Sequence, residues 1–167
     1  MNRKFIYQSV GDLSEFRENV WPTLIRDLMP NHLLLGLVDQ RDSAPAAGED
    51  LGFAVIREEG EVAGAIVQTL PRRAVFSTMS PEAACFAYRE WAREHGTPDV
   101  INGPDSSMSA LLEEFSQRHP SQPICAKKLL SYELTEVIMP SQRPAGRMRL
   151  AEAADEDLLV KWGMQFN

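Results

Sequence analysis

Hydrophobic positions along the chain switch repeatedly between period two and helical spacing, and the switches predict a mixed α/β architecture. Residues 5–8 read as a short strand. Asp12 stands as an N-cap ahead of Leu13, Phe16 and Val20, which recur at helical spacing. Trp21-Pro22 predicts a break, because proline disfavours helical backbone in the residue before it. A second helical stretch carries Leu24, Ile25 and Leu28 and is expected to stop at Met29-Pro30. A third follows over residues 31–41, with Asn31 as its cap. Residues 41–50, rich in Ala, Pro, Gly and acid, form a loop. Two β-like runs, 51–57 and 62–70, flank a four-residue hairpin turn at 58–61. A third run spans 74–78, so three strands with short connections predict an antiparallel meander.

Beyond the meander the period becomes helical again. Ser80 suits an N-cap and Pro81 a first helical position; Ala83, Ala84, Ala87 and Trp91 make the apolar stripe, and His95-Gly96 ends it. Residues 99–102 read as a short strand. Gly103-Pro104 opens a helix with the stripe Met108, Leu111, Leu112 and Phe115. Residues 124–138 predict a last long strand, in which Leu130, Tyr132 and Leu134 alternate on one face. Pro, Ser, Ala and Gly then give a linker over 139–146. After it, 147–150 reads as a strand and Asp155-Glu156-Asp157 as an acidic first helical turn, with Leu158, Leu159, Trp162 and Phe166 on its apolar face. This tail repeats the strand-then-capped-helix plan of the first 21 residues. The predicted organisation is a domain over 1–138, a linker over 139–146, and at 147–167 either the first strand and helix of a second, truncated module or a docking tail.

Composition narrows the function classes. The chain has 167 residues, of which 44% are hydrophobic and 25% charged, ordinary values for a globular domain. A net charge of −7 disfavours non-specific nucleic-acid binding. The longest apolar run, 33–38, is too short to span a bilayer, and the N-terminus lacks the apolar run of a signal peptide. Two cysteines, Cys85 and Cys125, far apart and without a CxxC, predict small buried hydrophobes in a reducing cytoplasm. No two histidines have metal-ligand spacing, so no metal site is expected.

The order strand, two or three helices, three-strand meander, helix, strand, helix, long strand resembles the GNAT family of acyl-CoA-dependent N-acetyltransferases. Asn31-His32-Leu33-Leu34-Leu35-Gly36, Gly52-Phe53-Ala54-Val55, Gly64-Ala65, Asn102-Gly103-Pro104 and Tyr132-Glu133-Leu134-Thr135 carry the resemblance. It is closest to bacterial proteins with two such modules in tandem, the first degenerate, and 149–159 resembles the opening of the second. The resemblance implies a mainly antiparallel sheet flanked by helices, acetyl-CoA as cofactor, and acetyl transfer to an amine. The acceptor would be a small molecule, a peptide N-terminus or a lysine. In this family the cofactor diphosphate sits on a glycine-rich loop, Q/R-x-x-G-x-G/A, between the fourth strand and the next helix. Here that stretch is Phe76-Ser77-Thr78-Met79-Ser80-Pro81, without glycine and with Pro81 removing a donor. No family cofactor residue carries over, and catalysis is expected to fall to the second module. The alternative is a non-catalytic binding or dimerisation module whose tail packs on a second copy, giving a homodimer.

Individual side chains offer candidate chemistry, each beside a structural reading. Ser77, Thr78 and Ser80 are hydroxyls able to donate to an anionic ligand, or simply to cap the helix. Asn102 at a strand end faces the crevice where α/β ligands gather, or makes a turn with Gly103. Tyr132 offers a general acid, though its alternation with Leu130 and Leu134 predicts packing. His32 reads as a capping or part-buried structural residue rather than a general base, and His95 and His119 as cations at helix ends. Asp105-Ser106-Ser107 lacks a histidine partner for a triad.

Overall fold

The computed structural model describes residues 4–43, 51–69, 73–118, 123–142 and 145–166. Strand β1 (Phe5–Val10) leads through Asp12, whose carboxylate accepts the Glu15 N–H at 3.0 Å, into helix α1 (Leu13–Leu24). Helix α2 (Leu28–Ser43) follows a single 3-10 turn over Ile25–Asp27. Strands β2 (Leu51–Glu58), β3 (Glu61–Thr69) and β4 (Ala74–Phe76) precede helix α3 (Pro81–His95), strand β5 (Ile101–Asn102) and helix α4 (Asp105–Arg118).

The five strands form one sheet in chain order. Neighbours β1 to β4 are antiparallel, and β4–β5 alone is parallel, with Ala74 opposite Ile101 and Val75 opposite Asn102. This is the mixed α/β architecture with an antiparallel meander that the hydrophobic pattern predicts, and the mainly antiparallel sheet flanked by helices that the resemblance implies. Strand alternation divides the core between the two faces. Phe53 and Val55 of β2 point to one side and pack with Phe16, Val20, Leu34 and Val38 of α1 and α2. Their neighbours Ala54 and Ile56 point to the other side and pack with Trp91, Ala84 and Leu111 of α3 and α4. The β2–β3 turn is two residues, Glu59 and Gly60, both left-handed with φ of 52° and 94°; that geometry follows the twist of the flanking strands. Gly52 is required for a close approach: a Cβ there would stand 2.7 Å from the Trp91 ring.

Several expectations are corrected. Pro22 does not break α1; it lies inside the helix and exposed. It forfeits one bond, to the Glu18 carbonyl, and the burial of Phe16, Val20 and Leu24 on the opposite face of α1 outweighs that loss. Pro30 likewise does not end a helix, because it lies in the first turn of α2, where an N–H has no intrahelical acceptor anyway. Asn31 is therefore inside α2 and not its cap. Strand β4 ends at Phe76 rather than Thr78, and the β2–β3 turn is two residues rather than four.

The largest departure is at 124–138, where no strand forms and the side chains stay in solvent. Tyr132 is 83% exposed and its neighbours Leu130 and Leu134 are both 77% exposed, so the predicted packing of that face is absent. Alternation supplies a face but not a partner strand, and a ladder needs both. Cys125 lies in the same stretch and is exposed, not buried as expected.

The chain divides into two compact units, 1–133 and 134–167. In the second, 147–150 does not form the expected strand. Helix α5 (Glu156–Phe166) is preceded by a 3-10 turn over Ala153–Asp155, whose cap is Glu152: Glu152 and Asp155 each bond the other's backbone in a capping box. Asp157 lies within α5 and does not cap it. The Arg149 guanidinium forks both Asp155 oxygens at 2.6 and 2.8 Å; with the Glu152 N–H it holds that carboxyl below its usual range. Leu158, Leu159, Val160 and Trp162 of α5 are exposed. Among the described residues, no helix is long and apolar enough to cross a membrane.

Candidate functional site

The junction between β4 and α3 is where the sequence places its hydroxyl cluster, and the structure shows what the junction's backbone amides do. The Ser77 N–H donates to the Ala65 carbonyl of β3 at 3.0 Å. The Thr78 N–H donates to Asn31 Oδ1 at 2.7 Å. The Met79 N–H donates to Ser107 Oγ at 3.3 Å. At the start of α3, Ser80 Oγ accepts the Ala83 N–H at 3.2 Å and the Ser80 carbonyl accepts the Ala84 N–H at 2.9 Å. Pro81 has no N–H, and Glu82 puts a carboxylate in the first turn. A diphosphate needs several converging amides and the positive end of a helix. Here the Ser77, Thr78, Met79, Ala83 and Ala84 amides already have acceptors, and a carboxylate stands in the first turn of the helix.

Three side chains from separate elements build this arrangement. Ser77 is fully buried; its Oγ accepts the Ala65 N–H at 2.8 Å and lies 3.2 Å from the Thr78 carbonyl as donor, so it doubles the β3 contact beyond the end of β4. Ser107 is also fully buried in the first turns of α4, and its hydroxyl lies within 3.4 Å of the Ser77 carbonyl and 3.3 Å of the Met79 carbonyl. Asn31 is 2% exposed. Its amide nitrogen donates to the carbonyls of Leu24 at 3.3 Å and Asp27 at 3.0 Å, at either end of the 3-10 turn, while its oxygen holds Thr78. One side chain thus ties the α1–α2 connection to the β4–α3 junction.

The remaining candidates lie apart from this lock. Ser80 serves as the cap of α3. Thr78 Oγ1 is buried with no hydrogen-bond partner among the described residues. Asn102 is half-buried in β5 opposite Val75. Tyr132 is in solvent. His32 is exposed, its Nδ1 2.7 Å from the Met29 carbonyl. His95 closes α3 against the Trp91 ring, 4.3 Å between centroids, with Glu94 3.6 Å away. The Tyr7 hydroxyl is buried nearby, and burial with the Glu94 carboxylate pushes its pKa upward, the state of a structural phenol rather than an acid. His119 lies outside the described residues. Cys85 is half-buried on α3; its thiol faces the Ala110 carbonyl at 3.6 Å, and burial raises its pKa, with Glu114 adding to the effect. Among the described residues no three His, Cys, Asp or Glu side chains gather as metal ligands would.

Two cavities open on the α3–α4 face, of about 860 and 330 Å³. The larger is lined by Lys4 and Phe5 at the start of β1 together with Cys85, Phe86, Glu113 and others; neither is lined by Ser77, Thr78, Ser80, Asn102 or Tyr132. Sequence reasoning missed Asn31 as a bridge and Ser107 as a clamp. The signal for Asn31 was a polar residue one turn into an apolar helix, and for Ser107 a hydroxyl one residue before the Met108 stripe. Comparison of the chain with protein-family models, with curated proteins and with solved structures gives no match.

Proposed function

We propose that this chain is the degenerate N-terminal module of a GNAT-type N-acetyltransferase, a cytoplasmic protein in which the cofactor loop has been rebuilt as an internal polar lock. The observation that carries this reading is the fate of three consecutive amides: Ser77, Thr78 and Met79 all donate within the protein. Strand order and the parallel β4–β5 pair support the fold side of it. Acyl transfer from acetyl-CoA to an amine needs both substrates positioned, a proton removed from the amine and the thioester oxyanion stabilised. Those duties belong to a second module, and this one shapes the acceptor side or the interface. Calorimetric titration of acetyl-CoA into the chain tests the reading. No micromolar binding is expected; micromolar binding, with a thermal shift to match, refutes it.

A second reading, a binding or dimerisation module, is favoured by the exposed apolar side chains of α5, Leu158, Leu159, Val160 and Trp162. Light scattering separates the two: a chain that stays monomeric at high concentration counts against self-association.

A further inference from the structure

The smaller of the two hollows on the α3–α4 face is a shallow, solvent-open depression lined largely by arginine. Arg89 and Arg93 of α3 and Arg118 of α4 surround it, with Ala92 as an apolar wall and Tyr88 and Thr97 completing the lining. No carboxylate among the described residues lines it. The acids that accompany these arginines stand outside the lining. Glu114 accepts from Arg89 at 3.2 Å and from Arg118, and Glu90 accepts from Arg93. Burial pushes the Glu114 carboxyl up, but Arg118 and Arg89 outweigh that and hold it below the usual range. Three cations therefore surround the pocket while two anions hold them from outside it, in a chain whose net charge is −7.

We infer that this pocket binds a small phosphorylated molecule, with Arg89, Arg93 and Arg118 taking the phosphoryl group and Tyr88, Ala92 and Thr97 flanking its organic part. Each guanidinium carries five N–H donors, and a carboxylate partner engages only some of them. Glu114 is shared by two arginines, which leaves both with donors to spare. A phosphate monoester offers three terminal oxygens, one to each guanidinium, whereas a lone carboxylate offers two. The depression opens widely to solvent, so the phosphoryl group is the part it holds and the organic part lies along Tyr88 and Ala92. This site is independent of the β4–α3 junction and of the acetyltransferase reading.

The test is a calorimetric titration of the full chain with phenyl phosphate and with inorganic phosphate at low ionic strength, alongside nitrogen-15 NMR of the arginine side chains. Saturable one-to-one binding is expected, tighter for phenyl phosphate, with shifts at the Arg89, Arg93 and Arg118 side-chain resonances. Arg93→Gln and Arg118→Gln should each weaken it roughly ten- to a hundredfold, the loss of one charge-assisted contact. Both side chains are more than half exposed, at 77% and 53%, so the variants keep the fold, which circular dichroism verifies. Lys4→Gln, at the other cavity, should leave binding unchanged. Absence of saturation at millimolar ligand, or equal affinity in both arginine variants and the parent, overturns the assignment.

Discussion

Replacing Asn31 by alanine tests the polar lock most directly. The substitution strands the Thr78 N–H and removes the side-chain bonds to the Leu24 and Asp27 carbonyls. A buried N–H left unsatisfied costs about 1–3 kcal/mol and each lost bond to a carbonyl that keeps its backbone donor about 0.5–1 kcal/mol, so the expected loss is about 2–4 kcal/mol. That corresponds to a fall in Tm of roughly 6–15 °C for a domain of this size. Urea denaturation followed by circular dichroism reads the total, and amide hydrogen exchange at Thr78 reads the bond itself. Asn31→Asp sharpens the argument. It keeps an acceptor for Thr78 but turns a carboxylate toward two carbonyls at a site only 2% exposed. Its folded pKa is therefore raised above the unfolded value, so the folded state binds the extra proton and stability recovers as pH falls from 7 toward 5. If Asn31→Ala unfolds within about 0.5 kcal/mol of the parent, or the Thr78 amide keeps its protection, the lock does not hold the junction.

Gly52→Ala places a methyl against the Trp91 ring at 2.7 Å and should destabilise by about 1–3 kcal/mol, with a changed near-ultraviolet tryptophan signal. Glu114, held low by Arg118 and Arg89 despite its burial, contributes stability that is present above the ordinary carboxylate range and lost as pH falls through its folded pKa; Glu114→Gln should flatten this acid limb of a Tm–pH curve. The two thiols should separate in a native-state labelling experiment with an aromatic disulfide: Cys125, exposed, reacts at once, and Cys85, half-buried with a raised pKa, reacts slowly until the protein unfolds.

Much of the fold is legible along the chain because its signals are local. Ser80-Pro81 specifies the start of α3 by chemistry confined to one turn, and the Ser80 hydroxyl accepts the Ala83 N–H as a cap should. The unbroken apolar run Phe53, Ala54, Val55 and Ile56 describes a strand buried on both faces, which β2 is. Residues whose roles depend on distant partners were opaque. Asn31 follows a proline and resembles a cap, yet its partner Thr78 is 47 positions away. The same limit explains 124–138, where Leu130, Tyr132 and Leu134 have the correct period but, among the described residues, pair with no strand and stand in solvent. The candidate site shows both cases at once: the absence of glycine before Pro81 is visible in the letters, whereas the donation of each amide to an internal acceptor appears only in three dimensions.

The lone parallel pair has a kinetic consequence. β2, β3 and β4 are joined by short connections, so their pairing closes small loops at little entropic cost. β5 meets β4 only after the intervening α3 segment has been ordered, over a register of two residues. Folding should therefore nucleate in the central hairpin region and admit β5 with α4 late, so that substitutions at Ile101 or Ser107 accelerate unfolding while leaving the refolding rate nearly unchanged.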